Sequence, residues 1–423
     1  MGGLSEAGPT VSAPRLHCAR LSWAALFLLA FALRCRGLGR SLWYDELVSL
    51  RGFGGSLVAV FTRQIGANNH PLASLLLWLD PAGSEIGLRL PFAVLGAAAC
   101  PALAWSLARW GWARSGLLAG AALAILPPAV LLSQQARGYA GLMLCVALLP
   151  GLAARGGRLG TAVNALGIGF HLSFVLAALP WLGLRRRAAW PWLTGLTLGG
   201  VACFGVYART WPWVRRALRD GDLGADHAPL GAAVLWEWIS AGSPLFGVAL
   251  LAAAGLGLLR LRGPERWLAA PLAGVALLLA VGVPGYPRFA AFALPCLCAL
   301  VGRGLAGLPL PRLGFALLVG CALLPLGAQA QRELQDLRGA ASSVDTSEGA
   351  TPYAAGFAVD SVRHYLPEVR DDLAGFLNDP GPAAFIDPFP ELTPPEVRAE
   401  LEAHAGKPLI LDGVHPVAVY RRD

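Results

Sequence analysis

From Leu21 onward the chain is a succession of apolar stretches, each near the length a helix needs to cross a bilayer, and arginines cluster in the polar segments between them. This alternation constrains the fold more than any motif does. Within lipid a backbone must satisfy its own hydrogen bonds, and a helix of roughly 20 apolar residues does so. Spans fit residues 21–38, 88–107, 116–132, 138–153, 191–207, 230–259, 267–283, 289–301 and 313–330. With 56% hydrophobic and only 14% charged residues, the chain lies outside the range of soluble globular proteins.

The arginine clusters orient these spans. Arg109 with Arg114, Arg155 with Arg158, Arg185 to Arg187, Arg260 with Arg262 and Arg266, and Arg303 with Arg312 all fall on one side if the long first loop, 39–86, lies on the other. The positive-inside rule makes the arginine side cytoplasmic. Residues 1–20 then form a cytoplasmic segment. Its Arg15, His17 and Arg20 precede an apolar run that lacks a small-residue cleavage site at Cys35-Arg36-Gly37, so it reads as an uncleaved signal anchor.

Residues 161–184 lie between two basic clusters yet suffice for one crossing only, which predicts a pair of short or re-entrant helices with His171 near the tip. The total is about 10 to 11 membrane helices. The apolar run 72–79 is too short to cross and is expected to lie on the membrane within the first loop, as one of its amphipathic pieces.

The net charge of +8 reflects basic membrane loops, with no nucleic-acid motif, and Lys407 is the single lysine. All eight cysteines lie in or beside apolar segments. Cys296 and Cys298 lack the spacing of a zinc or redox pair and are expected to be inert packing residues. Residues 331–423 lose the apolar character and read as a small soluble α/β domain on the side of the first loop. Strands are expected at 383–386, 408–411 and 417–420, with a helix from Pro395 to Ala405. The fold class is thus an all-α polytopic membrane protein, residues 21–330, with a C-terminal soluble α/β domain.

Two adjacent acids, Asp45 and Glu46, follow the first span between Trp43-Tyr44 and Leu47. Ionised groups at membrane depth cost roughly 2.5–3.5 kcal/mol each on insertion scales, so a pair at the membrane edge points to chemistry or to an interfacial anchor. The same loop holds Arg51, Arg63 and Asn68-Asn69-His70-Pro71, a set suited to a phosphorylated, hydroxyl-rich substrate. Arg137 and Arg288 lie at the far ends of other spans, on the side where arginine is disfavoured, and can clamp a phosphate by forked hydrogen bonds. The later loop, 208–229, holds Asp222, Asp226 and His227, which read as solvated. In the tail, Asp360, His364, Asp387 and His415 match no ligand motif, and a cover over the catalytic face or an acceptor selector is the conservative reading.

The Asp45-Glu46 pair, Asn68-Asn69-His70-Pro71, the run from Ser84 to Pro91, the run from Gln135 to Tyr139, and Pro287-Arg288-Phe289 occur in an order that resembles the GT-C membrane glycosyltransferases that use polyprenyl-phosphate sugars. The protein O-mannosyltransferase and aminoarabinose-transferase group is the most similar. The resemblance covers roughly residues 20–330. It implies an integral plasma-membrane enzyme whose catalytic face is extracytoplasmic, with Asp45 as catalytic base and Glu46 as its partner or a contact to metal or acceptor. Arg137 and Arg288 would stabilise the donor phosphate, while Arg63, Asn69, His70 and Tyr139 would bind substrate.

Transfer by single displacement would invert the anomeric centre. Leu72-Ala73 follow His70-Pro71 where many members carry a second proline and an aromatic. Gln134-Gln135 stand where relatives often place an acid, so a second acidic ligand is missing, which weakens the case for a divalent metal at Asp45 and Glu46 unless Asp222, Asp226 or His227 substitutes. The competing class is a transporter or flippase of lipid-linked saccharides. It would place ionisable groups near mid-membrane, whereas the spans here are nearly free of acids.

Overall fold

The computed structural model describes residues 13–63, 65, 69–80, 83–153, 157–182, 189–220, 230–281, 286–331, 334–344, 350–355, 359–413 and 415–422. Asn68, Arg155, Arg185 to Arg187, Asp222, Asp226 and His227 lie outside the described residues. Helix α1 (Ala13–Cys35) leads to a cluster of short helices: α2 (Tyr44–Phe53), α3 (Leu57–Thr62) and α4 (Pro71–Leu79). The apolar run after His70 is α4, begun by Pro71 at a position where its missing N–H costs nothing. A helical body follows: α5 (Glu85–Ala108), α6 (Ala113–Ile125), α7 (Pro127–Ser133), α8 (Tyr139–Ala153), α9 (Arg158–Phe170), α10 (Phe174–Leu182), α11 (Ala189–Ala202), α12 (Phe204–Asp220), α13 (Ala232–Ser240), α14 (Pro244–Leu259), α15 (Ala270–Val281), α16 (Leu294–Ala306) and α17 (Pro311–Gln331).

Helix α5 packs against α1, α6 and α8, and α16 packs against α6 and α14. The core between them is built largely from alanine, leucine and cysteine, including buried Cys296 and Cys298. On the outer face of α17, Leu317, Leu323 and Leu324 are exposed, as a lipid-facing helix requires.

The span count differs from expectation. Among the described residues three helices are long and apolar enough to cross a membrane alone, Glu85–Ala108, Pro287–Ala306 and Pro311–Ala330, and at most six do if each bent pair is one span. Hydropathy windows do not register the bends. Pro127 splits the stretch 116–132 into α6 and α7 at 64°. The stretch 191–207 turns by 71° before Phe204. In 230–259, Ala241 and Gly242 both adopt positive φ, and α13 meets α14 at 100°. The loop expected from Ala208 is helical through Asp220 as the continuation of α12. Of segment 161–184, the described residues through Leu182 form two short helices, α9 and α10, broken at His171.

The tail holds α18 (Leu337–Ser343), β1 (Thr351–Ala354), α19 (Val359–Tyr365), β2 (Arg370–Asp371), α20 (Leu373–Asn378), β3 (Ala383–Asp387), α21 (Pro395–Ala405), β4 (Leu409–Leu411) and β5 (Val417–Arg422). Strand order is β2-β1-β3-β5-β4. The pairs β2–β1 and β1–β3 are parallel, and β3–β5 and β5–β4 are antiparallel. Both faces of β3 and β5 are covered, which explains their continuous apolar runs. Ala384, Ile386, Val417 and Val419 face one way and join a core that contains Leu47 and Leu50 of α2, Ala73 and Leu77 of α4, and Leu88 and Phe92 of α5. Phe385 and Tyr420 face the other way, onto Phe376 of α20 and Leu401 of α21. The tail thus shares its core with the first-loop helices.

One buried ion pair organises that junction. Arg89, in the second turn of α5, donates to both carboxylate oxygens of Glu46 at 2.9 and 2.5 Å, and to the carbonyls of Leu38, Arg40 and Ser41. Glu46 also accepts the N–H groups of Trp43 and Ala136, at 3.2 and 2.7 Å. Four stretches of chain converge on these two side chains, and both residues are about 1% exposed. Removing one partner leaves a buried charge, at a cost of about 3–5 kcal/mol. Arg89→Met is therefore expected to lower the thermal unfolding temperature in detergent strongly, and adding Glu46→Gln to recover part of the loss. An Arg89→Met protein as stable as the parent would refute this.

Candidate active site

Asp45 and Glu46 occupy the first turn of α2, where the partial positive charge of the helix N-terminus favours acids. Consecutive helical residues point about 100° apart. Glu46 turns inward to Arg89, while Asp45 turns toward the ends of the spans. There its Oδ2 lies 2.6 Å from Arg137 and 2.9 Å from Arg288.

Arg137 is delivered by the turn between α7 and α8, which Glu46 pins through the Ala136 N–H. At the next position, Gly138, a Cβ atom would stand 2.0 Å from the Phe170 carbonyl oxygen. Only glycine lets this turn approach the end of α9 so closely. Arg288 sits in the 3-10 turn Pro287–Ala293 that opens into α16, with its guanidinium over the rings of Tyr286 (4.0 Å) and Trp43 (5.0 Å).

Beneath Arg137 lies an aromatic pocket. Arg137 donates to His70 Nε2 at 2.9 Å, and the His70 ring lies 4.8 Å from that of His171 and 5.5 Å from that of Tyr139. A guanidinium can only donate, so His70 Nε2 is an acceptor and the imidazole is neutral with its proton on Nδ1. Burial, reinforced by the charge of Arg137, holds its pKa well below 6.5. Burial pushes the Asp45 carboxyl upward, but Arg137 and Arg288 together outweigh it, and its pKa lies below the usual carboxylate value. Asp45 is therefore charged at neutral pH between two cations, and the cluster has one positive charge in excess. Among the described residues the Nε–H groups of Arg137 and Arg288 make no hydrogen bond.

The other sequence candidates lie elsewhere. Glu46, considered as a catalytic partner or metal ligand, has both oxygens engaged by Arg89 and backbone N–H groups, because it faces the junction rather than the spans. Arg63 is exposed and donates to the Gly52 carbonyl. Asn69 accepts from Ile65 N–H and donates to Thr210, tying the first loop to α12. Arg51 pairs with Asp360 of the tail at 3.3 Å. Asp387 receives Phe389 N–H and the Thr393 hydroxyl, and His364 packs edge-on to Tyr365.

His415 alone of the tail candidates reaches the Asp45 neighbourhood, where its ring is stacked on Trp43. Sequence reasoning missed Phe389, Gln335 and the role of Trp43, since only the fold brings the tail here. It also missed Arg34, fully buried in the last turn of α1 and donating to the carbonyls of Leu123 and Ala124 at the α6–α7 bend. A charge inside an apolar run was its one visible signal. Among the described residues no group of three or more His, Cys, Asp or Glu side chains is placed to hold a metal ion. In this arrangement Asp45 faces two cations, and both oxygens of Glu46 are engaged.

The unfolded chain protonates His70 below about 6.5, whereas the folded one keeps it neutral, so the native state loses stability as pH falls through that value. Asp45 stays ionised across this range and contributes nothing to the drop. Thermal unfolding measured from about pH 7 to pH 5 is expected to show the decline and His70→Gln to lessen it. An unchanged slope in the variant would contradict a neutral, buried His70.

No protein-family model and no curated protein sequence matches this chain. Solved structures do. ArnT from Cupriavidus metallidurans bound to undecaprenyl phosphate superposes with a TM-score of 0.57 at 12% identity, covering 97% of this chain and 98% of that one. Its apo state gives 0.55 at 13% identity with the same coverage. The archaeal oligosaccharyltransferase AglB from Archaeoglobus fulgidus, in complex with an inhibitory peptide and a dolichol-phosphate, gives 0.51 at 11% identity, covering 88% of this chain and 70% of that one. Identities this low establish shared fold, and the fold is the GT-C fold of these membrane glycosyltransferases.

Proposed function

We propose that this GT-C-fold chain is an integral membrane glycosyltransferase that moves a sugar from a polyprenyl-phosphate donor to a hydroxyl acceptor on the extracytoplasmic face, with inversion. The observation that carries the reading is the single carboxylate oxygen of Asp45 held between two guanidinium groups, buried Arg137 and part-buried Arg288. One acid beside two cations suits a phosphate leaving group and one proton to be removed. It does not suit glycoside hydrolysis, which uses two carboxyls about the bond. ArnT bound to undecaprenyl phosphate and AglB in complex with a dolichol-phosphate share the fold, which supports a polyprenyl-phosphate donor.

The acceptor oxygen attacks the anomeric carbon as the bond from that carbon to the phosphate oxygen breaks. The acceptor proton passes to Asp45, and polyprenyl phosphate leaves as an anion held by the two arginines. The ion pairs of Asp45 add a step. A phosphate entering the cluster competes with Asp45 for Arg137 and Arg288, using their forked donors. Once these cations turn to the phosphate, the part-buried carboxylate loses the charges that hold its pKa down and becomes a stronger base. His70, neutral and fixed on Arg137, orients the phosphate clamp. Glu46 has a structural role.

The decisive assay incubates purified protein with radiolabelled polyprenyl-phosphate sugars and membrane extracts and asks which acceptor becomes labelled. Asp45→Asn is expected to leave folding and insertion intact and to abolish transfer, and full activity in that variant would sink the assignment. Arg288→Ala is expected to lower turnover by about 10²–10³, the usual loss on removing one charge-stabilising donor. Unchanged donor affinity and turnover would remove Arg288 from the phosphate site.

A further inference from the structure

The tail does more than cover the site. Trp43, the residue before α2, is 4% exposed, and its indole Nε1 makes no hydrogen bond among the described residues. No polar contact of that N–H orients the ring. Its position rests on what it stacks against. Arg288 lies over it at 5.0 Å, and His415 lies parallel to it, with centroids 5.8 Å apart and planes 1° apart.

His415 is itself well held. Its backbone N–H donates to Leu334 at 2.8 Å, its Nδ1 lies 3.5 Å from a Glu391 carboxylate oxygen, and its ring meets Phe389 at 6.1 Å. The neighbouring residue is braced by the same part of the tail. Tyr44 N–H donates to buried Gln335, whose amide donates to the Pro388 carbonyl, and the Tyr44 ring packs edge-on to Phe389 at 5.3 Å.

We infer that His415 is a positioning residue: through the face of Trp43 it sets where the Arg288 guanidinium stands relative to Asp45 and to the donor phosphate. The sequence of contacts runs from Glu391 and Leu334 to His415, then to Trp43, Arg288 and Asp45, and it makes the C-terminal domain part of the active site. What is transmitted is the flat ring, so phenylalanine serves at this position and a non-aromatic residue does not. The effect on ligand binding rests on the phosphate role proposed for Arg288, whereas the effect on Arg288 itself does not.

The test uses the full-length protein in detergent and two readouts. The first is the affinity for undecaprenyl phosphate. His415→Ala is expected to weaken it about three- to tenfold, the factor that corresponds to one aromatic pair, with His415→Phe within about twofold of the parent. The second is the NMR signal of the Arg288 Nε–H, identified by its loss in Arg288→Lys. The indole ring current displaces this signal in the parent and in His415→Phe, and the displacement is lost in His415→Ala.

If His415→Ala does not fold, His415→Leu replaces it, filling the space without a ring. A signal unmoved by loss of the ring overturns the inference, as does failure of phenylalanine to restore it. Equal binding by the parent and Arg288→Ala, with the NMR shift still following His415, removes the phosphate role and leaves the positioning role standing. Weaker binding by Arg288→Ala without any effect at His415 does the reverse.

Discussion

The buried pair between Glu46 and Arg89 is the interaction on which the other contacts of the junction depend. Each side chain is almost wholly removed from water, a state stable only when every charge and donor finds a partner. Arg89 answers this by binding three carbonyls between Leu38 and Ser41 as well as Glu46, and Glu46 by accepting the backbone of Trp43 and Ala136. The segment that follows α1, the start of α2, the first turns of α5 and the α7–α8 turn are thereby held at one point. Asp45 and Arg137 inherit their positions from that knot, since one adjoins Glu46 and the other Ala136.

Around Asp45 the electrostatics differ in kind. The Glu46 pair is balanced and closed, whereas Asp45 shares one oxygen with two guanidinium groups and leaves positive charge unneutralised. Neutral His70 and the rings of Tyr139 and His171 form an uncharged aromatic floor beneath Arg137, which strengthens the pull on an incoming anion. The tail closes the other side through Trp43, Tyr44, Phe389 and His415. A rigid knot beside an electrostatically unsatisfied pocket is an arrangement suited to holding a charged ligand without rearranging the scaffold.

Much of this was legible one residue at a time. The apolar runs mark the helical body, Pro395 to Ala405 forms α21 as its proline and length require, and β3, β4 and β5 lie where short apolar runs predict them. The break at His171 followed from charge placement on either side of a stretch too short to cross twice. The strands β1 and β2 were not visible. β1 is a short strand containing Pro352, and β2 is two exposed polar residues that pair only because β1 lies beside them. Helix bends were equally hidden, because a hydropathy window counts apolar residues and is indifferent to a proline or a left-handed pair such as Ala241-Gly242.

By itself the sequence determined that the chain forms long apolar helices with a polar tail, and that acids, arginines and a histidine are carried to the helix ends. Composition and periodicity suffice for this, since each helix satisfies its own backbone and needs lipid or protein around it. Only the tertiary structure decided which of two adjacent acids faces the arginines and which is consumed in the scaffold. Helical geometry separates Asp45 and Glu46 by about 100°, but the direction each faces depends on where Arg89, Arg137 and Arg288 arrive from distant parts of the chain. The same holds for His415, which lies 372 residues beyond Trp43 in the chain and meets it because β3 and β5 pack their apolar face onto α2 and α4.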